Sequence, residues 1–201
     1  MPTVAIVGGG PAGLSAGLFT AKNGLETVVF DTDETWMHKA HLFNYLGVRS
    51  IGGDEFMTIA RGQASDRGVD LREDEEVTAV EETGEGFTVT TEAGEYDAEY
   101  VVFATGTDTE LPESLGCEVD DDGLVEVDLS MQTSVEDAYA TGAMIRNQEW
   151  QAVISAGDGG AAALDILSGE KGEHYHDFDT PADVPSLSDL PDEEAGGEGG
   201  E

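Results

Sequence analysis

The sequence predicts an α/β fold, a parallel sheet with an antiparallel β-meander inserted into it, and three observations lead there. Thr3–Val7, Thr27–Phe30 and Tyr100–Phe103 are continuously apolar and rich in β-branched or aromatic residues. Strands buried on both faces of a parallel sheet read this way, whereas half-exposed strands alternate. Between the first two runs lies a glycine-rich turn followed by a helical stretch, the order of a βαβ unit. Residues 77–98 instead carry short β-rich or alternating segments separated by Gly84, Gly86 and Gly94, the pattern of hairpins.

The first strand, Thr3-Val4-Ala5-Ile6-Val7, stops at Gly8, and the turn reads Gly8-Gly9-Gly10-Pro11-Ala12-Gly13. Gly8, Gly10 and Gly13 match the G-x-G-x-x-G spacing that seats a dinucleotide pyrophosphate. Gly8 allows the tight turn, Gly10 lets backbone approach the phosphates, and Gly13 lets the helix lie close on the strand. Pro11 suits the first helical turn, where its missing N–H would have had no acceptor. The remaining amides and the helix dipole face the anion. The helix is expected to reach about Asn23 and to stop at Gly24. After the second strand, Asp31 stands at the carboxyl end, at about the spacing from which an acidic residue takes the adenosine ribose hydroxyls. A carboxylate there repels a 2′-phosphate and so favours FAD or NAD over NADP. The glycine spacing also occurs in ordinary βαβ units, but strand, helix and acid together weigh for a dinucleotide site.

Thr32 to Ser50 is a mixed segment long enough to carry function or a short helix of its own. His38 and His41 have a spacing usable for a metal, but no third ligand accompanies them, so locally bonded histidines are the better reading. Gly52 to Gly68 is expected to be an amphipathic helix with Phe56, Ile59, Ala60 and Ala64 on one side. Val69–Leu71 follows as a short strand, then the meander, then Tyr100–Phe103. That strand ends in Ala104-Thr105-Gly106, small residues that leave room for a ligand at a sheet's switch point. Leu111 to Asp128 reads as acidic and irregular, with a turn at Asp120–Gly123 that is better solvated than metal-bound. Ala138–Gly142 is a last short strand, and Gln151–Leu167 a helix rich in glycine and alanine. From Asp179 the chain is acidic, contains Pro and Gly, and lacks periodicity, so the division is a domain over 1–178 and a disordered tail over 179–201.

The formal charge is −36, from 44 acidic and 8 basic side chains. Such a surface repels nucleic acid and anionic lipid, so neither is expected as a partner. Alternation of the acids with strong apolar runs points to a folded core under an acidic coat, suited to a salt-rich cytoplasm where ions screen the self-repulsion. Cys117 is the single cysteine and has no internal disulfide partner. No leader and no membrane-length apolar run is read, so a soluble, cytoplasmic protein is expected.

Three separated stretches agree with one family. Gly8-Gly9-Gly10-Pro11-Ala12-Gly13-Leu14-Ser15-Ala16, Ala104-Thr105-Gly106, and Met131-Gln132-Thr133 through Tyr139-Ala140-Thr141-Gly142 to Gln151-Ala152 and Ala156-Gly157-Asp158-Gly159 resemble the FAD domain of the thioredoxin reductase-like flavoproteins. The resemblance implies a Rossmann-like FAD-binding domain in which Gly8, Gly10, Pro11, Ala12 and Gly13 hold the pyrophosphate and Asp31 the ribose. It further implies Asn44 beside the flavin, Val77 as a backbone contact to the adenine, and Ala104, Thr105, Gly106 and Gly142 along the crevice. Gln151 and Ala152 would place amides near the flavin N1 and O2.

The departures are as informative. Family members carry a whole NADPH domain with a C-x-x-C pair between the middle and last motifs, whereas Gly106 reaches Met131 here within one short connection. Family dithiol chemistry is therefore not expected of this chain. Ala143 follows Gly142 where the family has an aspartate bonding the flavin ribityl chain. The leading expectation is a flavoprotein exchanging electrons with an unidentified redox protein or small donor or acceptor, with Trp36–Tyr45 and Trp150 as a docking area if those aromatics are not core. The alternative is a non-catalytic FAD- or NAD-binding sensor or assembly domain, and a homodimer is left open.

Overall fold

A computed structural model describes residues 3–179; all of the expected tail except Asp179 lies outside the described residues. The chain enters β1 (Thr3–Val7), turns through the glycines into α1 (Pro11–Lys22), and returns as β2 (Glu26–Asp31). A 3₁₀ turn at Trp36–Lys39 precedes the two-residue strands β3 (His41–Leu42) and β4 (Ile51–Gly52), which lead into α2 (Gly53–Asp66) and β5 (Asp70–Glu73). The meander is β6 (Val77–Thr83), β7 (Gly86–Thr91) and β8 (Glu95–Ala98), and β9 (Tyr100–Phe103) rejoins the main sheet. α3 (Glu110–Leu115), β10 (Ala138–Ala140), a 3₁₀ turn at Gly142–Ile145 and α4 (Ala152–Lys171) complete the order.

The main sheet is parallel throughout, in the order β10-β9-β1-β2-β5. Direction of strand order reverses at β1, so the crevice outside the carboxyl ends of β1 and β9 is the topological switch point. The alternation of side chains along each strand explains the continuous apolar runs. Ala5, Val7, Phe30, Val101 and Phe103 face the meander, against Val80, Phe87 and Val89. Val4, Ile6, Val29, Val102 and Tyr139 face the helical layer, with Leu14, Ala16, Met57 and Ile166. Both faces are therefore buried, and the fold is a three-layer arrangement of meander, parallel sheet and helices.

The helical layer depends on close backbone approaches. A Cβ at Gly159 of α4 would lie 2.0 Å from the Ala12 carbonyl oxygen of α1, and one at Gly17 only 3.1 Å from Val29. The small residues of α4 thus serve helix-on-helix contact. Gly53 is as constrained, since its Cβ would meet the Met37 carbonyl oxygen at 1.7 Å.

That contact sets the rotation of α2 and corrects its expected inner face. Met57 and Ala64 are the buried positions, Phe56 and Ala60 are half-buried, and Ile59 is 56% exposed. The segment after Gly106 is also more regular than expected. α3 is too short to show periodicity, yet Leu111 and Leu115 pack on the core and left-handed Gly116 ends it. α4 likewise runs past Leu167 to Lys171 before left-handed Gly172.

Candidate functional site

A cleft of about 850 Å³ opens at the carboxyl ends of the parallel strands. One wall is the glycine turn. Gly8, Gly10, Pro11 and Ala12 line it, and α1 begins there without a side-chain cap. The first amides of a helix have no intrahelical acceptor, so they remain available to an anion. The glycines divide by role. At Gly8 (φ +108°) a Cβ would lie 2.3 Å from the Ala104 carbonyl oxygen, and at Gly13 only 1.9 Å from that of Gly8. Gly13 does not line the cleft; it stands behind the turn and lets α1 lie on β1. Gly10 is different, because a Cβ there would meet nothing closer than Thr35 Oγ1 at 3.7 Å. The protein tolerates a side chain at Gly10, so its absence leaves the space to a ligand.

Asp31 lines the cleft and is otherwise buried. Its Oδ1 accepts the Gly9 N–H at 3.2 Å and the Asp33 N–H at 3.1 Å, and its Oδ2 accepts from Arg61 Nη2 at 2.8 Å. Gly9 packs so closely on this carboxylate that a Cβ would sit 2.4 Å from it. Arg61 also pairs with Asp33, and His38 lies between Asp33 at 2.8 Å and Asp54 at 2.6 Å. Asp54 and then Asp33 hold the His38 imidazolium above its ordinary range, while Arg61 and His38 hold the Asp33 carboxyl below its own. His41 instead bonds Ser50 Oγ at 2.9 Å. The two histidines do not converge.

Val77 opens β6 and lines the cleft beside Glu75 and Glu76. Ala104, Thr105 and Gly106 form the floor where β9 ends, with Thr105 Oγ1 donating to the Asp108 carbonyl at 2.7 Å. At the far end stand Asn44, exposed on the segment after β3, and Gly142 (φ +75°) after β10. Gln151 caps α4 and Ala152 opens it, again with no side-chain cap, so two helix N-termini converge on one cleft. Trp36 (64% exposed) and Trp150 (41%) stand edge to face at 5.5 Å on the rim.

A side cleft of about 410 Å³ adjoins this end and shares Trp36, Thr107, Ala143 and Trp150 with the main one. In its wall Arg146 Nε bonds the buried Asp158 carboxylate at 2.8 Å. Sequence reasoning missed Gly9, Arg61 and the Arg146–Asp158 pair. The signal for Arg61 was a cation at the helical spacing of Met57 and Ala64, on a stripe otherwise apolar.

A family model described as pyridine nucleotide-disulphide oxidoreductase matches residues 48–160, more than half of the chain. The chain belongs to that family. A second model, described as an FAD binding domain, matches residues 1–49, which carry the glycine turn and Asp31. This member of the pyridine nucleotide-disulphide oxidoreductases therefore has FAD as its cofactor, and the cleft fits it: uncapped amides and a vacant Gly10 Cβ position on one side, a buried carboxylate at the end of β2.

Dihydrolipoyl dehydrogenase of Haloferax volcanii is 29% identical over 167 residues, 79% of this chain and 33% of that protein. Thioredoxin reductase of Streptomyces coelicolor is 38% identical over 110 residues, 52% of this chain and 34% of that protein. The chain spans about a third of the length of these relatives. Among solved structures, a thioredoxin reductase from Gloeobacter violaceus superposes with a TM-score of 0.79 at 21% identity, covering 89% of this chain and 98% of that one. A ferredoxin-flavin thioredoxin reductase from Clostridium acetobutylicum does so at 0.75 and 18% identity, covering 85% and 98%. These likenesses establish the fold. Among the described residues, no helix is long and apolar enough to cross a membrane.

Proposed function

We propose that this FAD-binding domain is an oxidoreductase component that exchanges electrons with a separate redox partner and performs no dithiol chemistry of its own. The observation that carries the proposal is one continuous cleft lined by Val77 and Asp31 as well as by Asn44, Gln151 and Ala152. Both halves of FAD have a place along it. Bound FAD would supply the one- and two-electron chemistry. The chain's own groups would hold it: the α1 amides would take the pyrophosphate, Asp31 the ribose, and the α4 N-terminus the flavin, where a dipole favours negative charge.

Support for an external partner comes from what surrounds the cleft. Hydride transfer from a nicotinamide needs its C4 held against the flavin N5 in near-attack geometry. Within this chain one glycine fingerprint serves one cleft, and Cys117 is buried, with burial pushing its thiol up. The exposed indoles of Trp36 and Trp150, with Phe43 also exposed nearby in sequence, offer a docking rim. Placement in a salt-rich cytoplasm is part of the same proposal and rests on the acidic composition.

The test is direct. Protein purified in high salt should be yellow or take up FAD, and anaerobic stopped-flow mixing with NADH or NADPH should bleach the flavin absorbance slowly, if at all. Rapid bleaching that saturates with nicotinamide concentration would overturn the partner requirement. Tight NAD binding with indifference to FAD would overturn the assigned cofactor.

A further inference from the structure

We infer that Arg61, which does not itself line the cleft, is the positioning residue that aims the Asp31 carboxylate at the adenosine ribose; the inference rests on the FAD assignment. A carboxylate offers about four lone-pair sites. In Asp31 both sites of Oδ1 are taken, by the Gly9 and Asp33 amides, and Arg61 takes one site of Oδ2. One acceptor site remains, on Oδ2 of a residue that lines the cleft.

Where that site points depends on Arg61. Asp31 is 5% exposed, and a carboxylate so buried takes its orientation from the donors fixed beside it, of which Arg61 is the one charged group on Oδ2. Arg61 is suited to this because its guanidinium is planar and permanently charged. Its position is in turn set from outside the cleft. Nη2 bridges Asp31 and Asp33, and His38 ties Asp33 to Asp54 at the start of α2. The network thus runs from the ribose carboxylate, through α2, to the 3₁₀ turn.

One further detail separates Arg61 from a surface ion pair. Its Nε is buried with no hydrogen-bond partner. An unmade hydrogen bond on a buried guanidinium is a cost, tolerated here in a geometry where Nη2 alone makes both carboxylate contacts. A lysine in its place would keep the charge but lose that geometry.

The experiment is calorimetry in molar KCl on the full chain without FAD, using ADP, 2′-deoxy-ADP, 3′-deoxy-ADP and FMN as probes. A hydroxyl bonded to a charged group is worth roughly tenfold or more in affinity, so the wild type should prefer ADP to one of the two deoxy analogues by about that factor. Arg61→Lys should lower ADP affinity about tenfold, leave the discriminated deoxy analogue unchanged, and so shrink the preference below about threefold. FMN, which has no adenosine, should bind both proteins alike. A folded Arg61→Lys protein that keeps the full ADP preference, or that loses ADP and deoxy-ADP equally, overturns the inference. So does a wild type that binds ADP without discriminating either hydroxyl. Should Arg61→Lys fail to fold, Asp33→Asn removes the second anchor of Nη2, and the same readout applies with a smaller loss expected. A wild type that binds neither ADP nor FAD would instead overturn the cofactor assignment.

Discussion

Gly8, Gly9, Gly10 and Asp31 line one wall of the cleft with Gly13 behind them, and each glycine answers to a different neighbour. Gly8, Gly9 and Gly13 are required by the protein itself, because a Cβ at each would fall within 2.4 Å of Ala104 O, Asp31 or Gly8 O. A Cβ at Gly10 would meet nothing in the protein closer than 3.7 Å. Gly10→Ala should therefore fold with unchanged thermal stability and lose FAD affinity. Gly13→Ala should lower stability by about 1–3 kcal/mol or more, the usual range for forcing an extra methyl into a packed site. Urea titration of the apo proteins, beside FAD titration by fluorescence quenching, separates the two. An equally destabilised Gly10→Ala protein would contradict the division.

Among the elements, α1 and α4 define the site more than any strand does. Gly159 lets them pack with backbones nearly touching, which brings both uncapped N-termini to one cleft. The 3₁₀ turn from Gly142 to Ile145 lies between β10 and α4, and it places Ala143 where the main cleft meets the side cleft. The thioredoxin reductase-like pattern has an aspartate at this position. Ala143→Asp should accordingly restore a hydrogen bond to the ribityl chain and tighten FAD by about 3–10-fold, a charge-assisted hydrogen bond of modest net worth. Equal or weaker FAD affinity in a folded variant would show the turn to be remodelled, with Arg146–Asp158 nearby as the structural reason.

For the whole molecule, charge is the dominant variable. Self-repulsion at a formal −36 should make stability rise from dilute buffer to molar KCl, as screening shortens from about 30 Å at 0.01 M to about 3 Å at 1 M. Cofactor binding should follow the same direction, against the usual weakening of anion binding by salt. Among the cleft-lining residues Lys39 is the single lysine or arginine, whereas Asp31, Glu34, Glu75, Glu76 and Asp108 are acidic. Added salt therefore screens a repulsion between the diphosphate and the cleft. Differential scanning calorimetry and FAD titration across a KCl series check both, and a melting temperature indifferent to salt would contradict the expectation.

Much of this protein was legible without coordinates. The β1–α1–β2 unit, the meander and β9 were read because their signals are local: unbroken apolar runs, alternation, and glycines where the chain must turn. Gly8, Gly10, Asp31 and Ala104 were placed by motif and Val77 and Gln151 by the family resemblance, and all six line the cleft. Tertiary structure decided the rest. Ile59 is exposed and Met57 buried because the rotation of α2 is set by Gly53 against the backbone at Met37, a contact between residues sixteen apart in sequence. Arg61 joined the site across thirty residues of sequence. Neither periodicity nor a motif carries such information, because a backbone approach too close for any Cβ or a single buried ion pair depends on how whole elements are brought together, after local preferences have already been met.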